Sequence, residues 1–273
     1  MVWSQSRKIQ GNSGASGVMN KNTANEISDW LNDYLDKSKM QCFVIGVSGG
    51  VDSALSSTLC AMTGKKTYIV NIPINSKKEN THLSQVHCDW LCEKNDNVEE
   101  IYIDASDAYN SFEKIFKETS AHNLLSNANS KSRMRMMVLY YLATSKSGIV
   151  VGTGNKVEDF GVGFFTKYGD GGVDISPIAD LTKSEVRMMS KSLEISEQIL
   201  NAPPTDGLWD DSRTDESQIG ASYEELEWAM KYIEIGESQL LSPRQEEVLS
   251  IYNFFHNKNK HKMVDVPIYK VGE

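Results

Sequence analysis

Cys42-Phe-Val-Ile-Gly-Val47 runs without a break into Ser48-Gly-Gly-Val-Asp-Ser53. The first six residues are too short for a helix and β-branched enough for a buried strand. The next six are a turn, and small residues then continue as a helix through about Met62. A glycine-rich turn between a strand and a helix suits an anion. Glycines let the backbone turn tightly and approach a ligand, while hydroxyls and free N–H groups at the helix start point at it. An aspartate there would repel phosphate unless a cation lay between them, so Asp52 implies Mg²⁺. The turn is neither G-x-x-x-x-G-K-[ST] nor G-x-G-x-x-G. The plain alternative is a strand-to-helix turn whose Ser and Asp merely cap the helix.

Working outward, Thr23 and Glu26 have capping-box spacing, and Ile27, Trp30, Leu31, Tyr34 and Leu35 recur with helical period before the first strand. After the first helix pair come a strand at 67–72, a helix with Leu83, Val86, Trp90 and Leu91 on one face, and a strand near 99–103. A helix around 105–117 follows, then a longer one with Met134, Met137, Val138 and Tyr141 as its apolar stripe, and a fourth strand at 149–153. Alternation of this kind predicts an α/β fold: a doubly wound, mostly parallel sheet with helices on both faces, Rossmann-like. Ligands bind such sheets at the carboxyl ends of the strands. Beyond 153 the strands stop. Residues 161–177 are Gly-rich, 201–220 is polar and contains Pro203-Pro204, and two helices close the chain, one near 223–233 and one opening at Ser242 with Pro243 in its first turn. No internal repeat and no second core is legible, so residues 21–273 read as one domain behind a small, polar, flexible leader, 1–20.

The composition excludes several classes. The chain has 273 residues, 40% hydrophobic and 24% charged, with apolar runs too short to span a bilayer. Residues 1–20 lack the apolar core of a signal peptide, which predicts a cytoplasmic protein with four reduced cysteines. Cys88 and Cys92 stand C-x₃-C with no second pair nearby, a helix-packing pattern rather than a zinc site. A net charge of −9 argues against tracking a nucleic-acid backbone. Bound phosphates must therefore be held locally.

The hexapeptide 48–53 resembles the signature of the PP-loop ATP pyrophosphatases, which cleave ATP between its α- and β-phosphates to adenylate a substrate. Further along stand Val150-Val-Gly-Thr-Gly-Asn-Lys-Val-Glu158, Gly163-Phe-Phe-Thr-Lys-Tyr-Gly-Asp-Gly-Gly-Val-Asp174, Pro177, Leu181-Thr-Lys183 and Ala202-Pro-Pro-Thr205. Together these resemble the bacterial NAD synthetase family over roughly residues 42–262. The run 164–170 is the most specific piece. Lys131-Ser-Arg133 with Arg135, Thr214-Asp-Glu216 and His261-Lys262 are weaker matches.

The resemblance implies an ATP site of Gly46, Val47, Ser48, Gly49, Gly50, Val51, Asp52, Ser53, Thr153, Lys183 and Thr205, with Mg²⁺ held by Asp52 and Glu158. Two carboxylates with phosphate oxygens and water make a sensible Mg²⁺ site; without the resemblance Glu158 reads as a solvated helix residue. Lys183 near a helix start opposes the helix dipole, which favours function over a solvated lysine. Arg133, Lys167, Asp174, His261 and Lys262 match positions that hold deamido-NAD, the cations suiting its phosphates and carboxylate. Arg133 and Arg135 lie roughly 200° apart around a helix and cannot face one ligand equally, so Arg135 reads as structural. The chain departs from the family pattern in three places. Gly154 and Asn155 follow Gly-Thr where Asp and often His or Asn stand, Ala128-Asn129 replaces Gly-Asn, and Lys262-Met263 replaces Lys-Arg.

The implied reaction is amidation of deamido-NAD to NAD. Substrate carboxylate attacks the α-phosphorus of ATP, pyrophosphate leaves, and ammonia displaces AMP from the acyl-adenylate. No protein nucleophile is needed, and the length leaves no room for a glutamine-hydrolysing domain, so free ammonia or a separate glutaminase supplies nitrogen. The resemblance also implies a homodimer with the dinucleotide near the subunit interface. Residues 201–220, irregular and carrying Thr205, are expected to act as a mobile lid, the alternative being a fixed loop anchored by Leu208 and Trp209. The competing functions are another PP-loop amidating or thiolating ligase and a nucleotide-binding regulator that has lost turnover.

Overall fold

Four short strands and ten α-helices make up the computed structural model, which describes residues 21–76, 78–205, 207–209, 213–236 and 240–271; the leader expected at 1–20 lies outside the described residues. Strands β1 (Cys42–Gly46), β2 (Thr67–Asn71), β3 (Val98–Tyr102) and β4 (Gly148–Val151) form one sheet in the order β3-β2-β1-β4, parallel throughout. Its side chains alternate between two cores, as strand geometry requires. Phe43, Ile45, Ile69, Ile149 and Val151 face one side, together with buried residues of α1 (Lys21–Ser38), α2 (Val51–Met62), α3 (Lys78–Lys94), α6 (Lys183–Ser192) and α7 (Glu197–Leu200). Cys42, Val44, Val70 and Val150 face the other, against α4 (Ser106–Lys117) and α5 (Leu124–Lys146).

The chain moves outward from β1 through α2 to β2 and through α3 to β3, then returns through α4 and α5 to place β4 on the opposite side of β1. Strand order therefore reverses between β1 and β4. In a doubly wound sheet that is where a crevice opens at the carboxyl ends. The loops leaving these two strands are 47–50 and 152–156, which are the two that carry the phosphate motif and the approach to Glu158.

A third apolar cluster stands off the sheet. It joins Val157 and Val162 of a π-helical turn, Val157–Val162, to Ile219, Tyr223, Leu226, Val248 and Tyr252 of α8 (Asp215–Ile219), α9 (Tyr223–Ile235) and α10 (Pro243–Met263). Ser222 and Ser242 open α9 and α10 with reciprocal capping boxes to Glu225 and Gln245. This off-sheet grouping and the short helix α8 have no periodic signature in the sequence, because each is completed by residues distant along the chain.

The apolar stripe read on α5 requires correction. Met134 and Val138 pack on the sheet, but Met137 and Tyr141 face outward, 60% and 76% exposed. Arg133, Met137 and Tyr141 recur every four residues along this outer face.

Candidate functional site

The turn after β1 is held by its own hydroxyls. Ser53 Oγ donates to Gly50 O (3.0 Å) and accepts from the Ser48 N–H (3.1 Å), while the Gly50 N–H donates to Ser48 Oγ (3.2 Å). Gly49 adopts φ +84°, and a Cβ there would stand 2.8 Å from Ser84 N and 2.9 Å from Leu83 Cβ, so only glycine lets the turn lie against α3. Gly50, the residue before α2, makes no side-chain cap. The N–H groups at the start of α2 therefore face the crevice without a side-chain acceptor, which is the arrangement that receives phosphate.

Beside this turn lies a buried ionic cluster. Lys183, first residue of α6, is placed by the Thr182–Glu185 capping box, and its Nζ contacts Asp52 Oδ2 (2.5 Å) and Glu158 Oε1 (3.2 Å). Burial alone would lower the lysine's pKa; Asp52 and Glu158 outweigh it, so the ammonium is held protonated and its pKa rises. Burial raises the Glu158 pKa in turn, with Lys183 opposing. Thus Asp52, Lys183 and Glu158, far apart in sequence, meet in one cluster. Thr153 stands half-buried two residues beyond β4, while Thr205 is exposed and follows Pro204, whose carbonyl accepts from Asp215 N (3.0 Å).

Asp52 and Glu158 keep 15% and 17% of their side-chain surface, so both remain open to a ligand. Among the described residues no group of three or more His, Cys, Asp or Glu side chains is arranged to hold a metal. Two carboxylates fit Mg²⁺ nonetheless, because this ion commonly takes one or two from the protein and fills its shell with phosphate and water. The local charge points the same way. Asp52 and Glu158 already set two carboxylates against the one ammonium of Lys183, which leaves no positive charge over for incoming phosphates. Asp159 beside them has its pKa pushed up to about 8 by burial and then by Glu158, so it adds little charge of its own.

Three contributors escaped the sequence reading. Asn155, marked there as a departure, is buried; its Nδ2 donates to Asp52 Oδ1 (3.1 Å), and its Oδ1 accepts from the Val157 and Glu158 N–H groups (3.1 and 3.2 Å). It thereby fixes the Asp52 carboxylate and the backbone that carries Glu158. Gly154 is explained by the same geometry, since any side chain there would run into the Asp159 carboxylate. Tyr223 and Asp215 complete the cluster, the tyrosine hydroxyl donating to Glu158 Oε1 (2.5 Å). The match at Thr214-Asp-Glu216 was the available signal for Asp215; nothing local marks Tyr223.

A second basic group gathers where α5, the Gly-rich turn and the end of α10 meet. Arg133 Nε donates to Lys167 O (3.3 Å), Lys167 Nζ to His261 O (2.9 Å), and Lys262 Nζ to the carbonyls of Gly163 and Phe165. Asp170 locks that turn by accepting from Ser132 Oγ (2.6 Å) and Thr166 N (3.0 Å), which accounts for its place in the specific run. Arg135 instead donates to Ile72 O (3.1 Å), as a structural arginine should. Asp174 stands apart from the four basic residues. Its carboxylate accepts from Val150 N (2.8 Å) and from Tyr140 (2.9 Å), seven residues along α5 from Arg133, or about 10 Å. Of the stretch expected to move, Leu208 O accepts from Lys131 Nζ (3.1 Å) and Arg213 lies 4.3 Å from the Trp209 ring; residues 206 and 210–212 lie outside the described residues.

Comparison with known proteins gives the chain its relatives. A family model described as NAD synthase matches residues 23–265. An NH(3)-dependent NAD(+) synthetase of Methanococcoides burtonii is 38% identical over 238 residues, 82% of this chain and 86% of the relative. Among solved structures, an NMN synthetase from Francisella tularensis superposes with a TM-score of 0.81 at 31% identity, covering 92% of this chain and 98% of that one. An NH3-dependent NAD synthetase from Campylobacter jejuni, in complex with the nitrate ion, superposes with a TM-score of 0.74 at 27% identity, covering 92% and 99%.

Proposed function

The chain belongs to the NAD synthase family, and we propose that its crevice between β1 and β4 is the site of the family's ATP-dependent amidation. The activity is that of an ammonia-dependent ligase: deamido-NAD, ATP and ammonia give NAD, AMP and pyrophosphate. The observation that carries the site assignment is the Asp52–Lys183–Glu158 cluster beside the 48–53 turn.

In this reading the N–H groups of the turn bind the β- and γ-phosphates, with the hydroxyls of Thr153 and Thr205 adding contacts. Asp52 and Glu158 would hold Mg²⁺, which when bound supplies positive charge against the polyphosphate. A carboxylate oxygen of deamido-NAD forms a bond to the α-phosphorus as the bond to the β-phosphate oxygen breaks. Lys183 neutralises charge building on the leaving pyrophosphate, from a position fixed before the reaction. Ammonia then bonds to the acyl carbon, a proton is lost from nitrogen, and AMP departs carrying one oxygen of the original carboxylate. Arg133, Lys167, His261 and Lys262 hold the far phosphates of the dinucleotide, and Asp174 accepts from hydroxyl or pyridine-end groups. Residues 201–220 close over the adenylate to exclude water.

The outward stripe of α5 supports a homodimer. Met137 and Tyr141 expose large apolar side chains on the same face of α5 as Arg133, surface that a second copy would cover. Equilibrium sedimentation should return twice the chain mass; a monomer at micromolar concentration would remove this element. No helix among the described residues is long and apolar enough to cross a membrane, and four unpaired cysteines suit a reducing cytoplasm.

The structural likeness to an NMN synthetase favours a second reading, in which the same amidation acts on the mononucleotide. The separate basic group at Arg133, Lys167, His261 and Lys262 supports the dinucleotide, whose extra phosphate and adenosine need such a surface. Competition between deamido-NAD and nicotinic acid mononucleotide for limiting enzyme tests the choice. Faster use of the dinucleotide is expected, and preference for the mononucleotide would replace this reading with the second.

A further inference from the structure

One buried tyrosine outside the assigned set touches two parts of the site and leads to a third. Tyr223 opens α9, immediately after its Ser222 cap. Its hydroxyl lies 2.5 Å from Glu158 Oε1 and 3.4 Å from Asp215 Oδ2, so its single proton goes to Glu158. Its ring lies 4.6 Å from Lys183 Nζ, a cation–π contact. Its N–H donates to Glu216 Oε1 (3.0 Å), and the neighbouring Asp215 N–H donates to Pro204 O (3.0 Å), the residue before Thr205. A continuous line of contacts thus runs from Glu158 and Lys183 through Tyr223 and α8 to Thr205.

We propose that Tyr223 is a positioning residue for ATP–Mg²⁺, aiming Glu158 and Lys183 and, through Asp215 and the Pro204 carbonyl, registering Thr205 over the same phosphates. The proposal rests on the assignment of Asp52, Glu158, Lys183 and Thr205 to the nucleotide. Without the hydroxyl, Glu158 Oε1 keeps Lys183 as its side-chain donor. The ammonium is then drawn toward Glu158 and away from Asp52. Outer partners of this kind are worth about 10–100-fold in ligand affinity.

Tyr223→Phe keeps the ring and removes only the donor. Calorimetric binding of ATP–Mg²⁺, without the second substrate, should weaken about 10–100-fold, while the KM for deamido-NAD stays within about twofold and the melting temperature of the ligand-free protein is little changed. Glu216→Ala, which removes the acceptor of the Tyr223 N–H and leaves the tyrosine in place, should weaken the same binding in the same direction and carries the test should the phenylalanine variant be unstable. Unchanged ATP–Mg²⁺ affinity in Tyr223→Phe, beside lost affinity in Asp52→Asn, overturns the proposal and leaves the site assignment standing. Unchanged affinity in both overturns the assignment beneath it. Equal loss for both substrates with a lowered melting temperature marks a merely structural tyrosine and also overturns the proposal.

Discussion

Replacing Lys183 with methionine should cost both stability and turnover, and by separable amounts. The ammonium is buried and lies 2.5 Å from Asp52 and 3.2 Å from Glu158. At an effective dielectric of about 20 those distances correspond to gross attractions of roughly 5–7 kcal/mol each, largely offset by the desolvation of three charges. Removing one member strands two carboxylates together in a partly dry site, for which about 3–5 kcal/mol is the usual loss. In a protein of this size that lowers the melting temperature by roughly 6–20 °C. Neutralising one of the two stranded acids, in Lys183→Met/Glu158→Gln, should recover part of the loss. Activity should not recover, because the charge facing the leaving pyrophosphate is still missing; a fall of about 10²–10³ in kcat is expected, the cost of losing one such stabilising group. Calorimetric melting and AMP release with saturating deamido-NAD, ATP and ammonium measure the two effects. A Lys183→Met protein that melts like the parent, or that turns over within tenfold of it, would refute the reasoning.

The other predictions concern the rest of the molecule. Lys167→Ala and Arg133→Ala should raise the KM for deamido-NAD far more than that for ATP; an equal rise would show the basic group to be misassigned. His87 is buried against Ser57, and burial lowers its pKa from 6.5 to about 4. Between those values the unfolded chain binds a proton that the folded protein refuses, so stability is full above pH 6.5 and falls by about 3 kcal/mol as pH drops toward 4. Urea titrations across that range should lose this slope in His87→Gln, and retention of the full slope would contradict the burial argument. Proteolysis within 201–220 should be fast in the free protein and suppressed by ATP–Mg²⁺ with deamido-NAD; resistance in both states would favour a fixed loop held by Lys131 on Leu208.

Much of this was legible because it is local. A β-branched run ending in two glycines and an acid needs no tertiary knowledge to be read as a strand, a turn and a helix start, and β1, the 48–53 turn and α2 follow it. Helical period in α5 gave the helix but not its buried face. Apolar residues at 134, 137, 138 and 141 satisfy the same spacing whether they meet a sheet or a surface, and only packing separates Met134 from Met137. Asn155 looked like a departure because its neighbours in sequence say nothing of Asp52, which it reaches from 103 positions away. Tyr223 is hidden for the same reason, as its partner Glu158 is 65 residues distant. The π-helical turn that aims Glu158 has no periodic signature of its own.

The fate of the substrate's carboxylate oxygens tests the central claim most directly. Deamido-NAD labelled with ¹⁸O in the carboxylate should pass one labelled oxygen to the phosphate of AMP during NAD formation, because attack at the α-phosphorus makes that oxygen the bridge of the acyl-adenylate. Mass spectrometry of AMP, pyrophosphate and any orthophosphate locates the label. One labelled oxygen in AMP and the other in the amide of NAD is the predicted result; label in pyrophosphate or orthophosphate, or unlabelled AMP beside NAD, would contradict adenylation at this site.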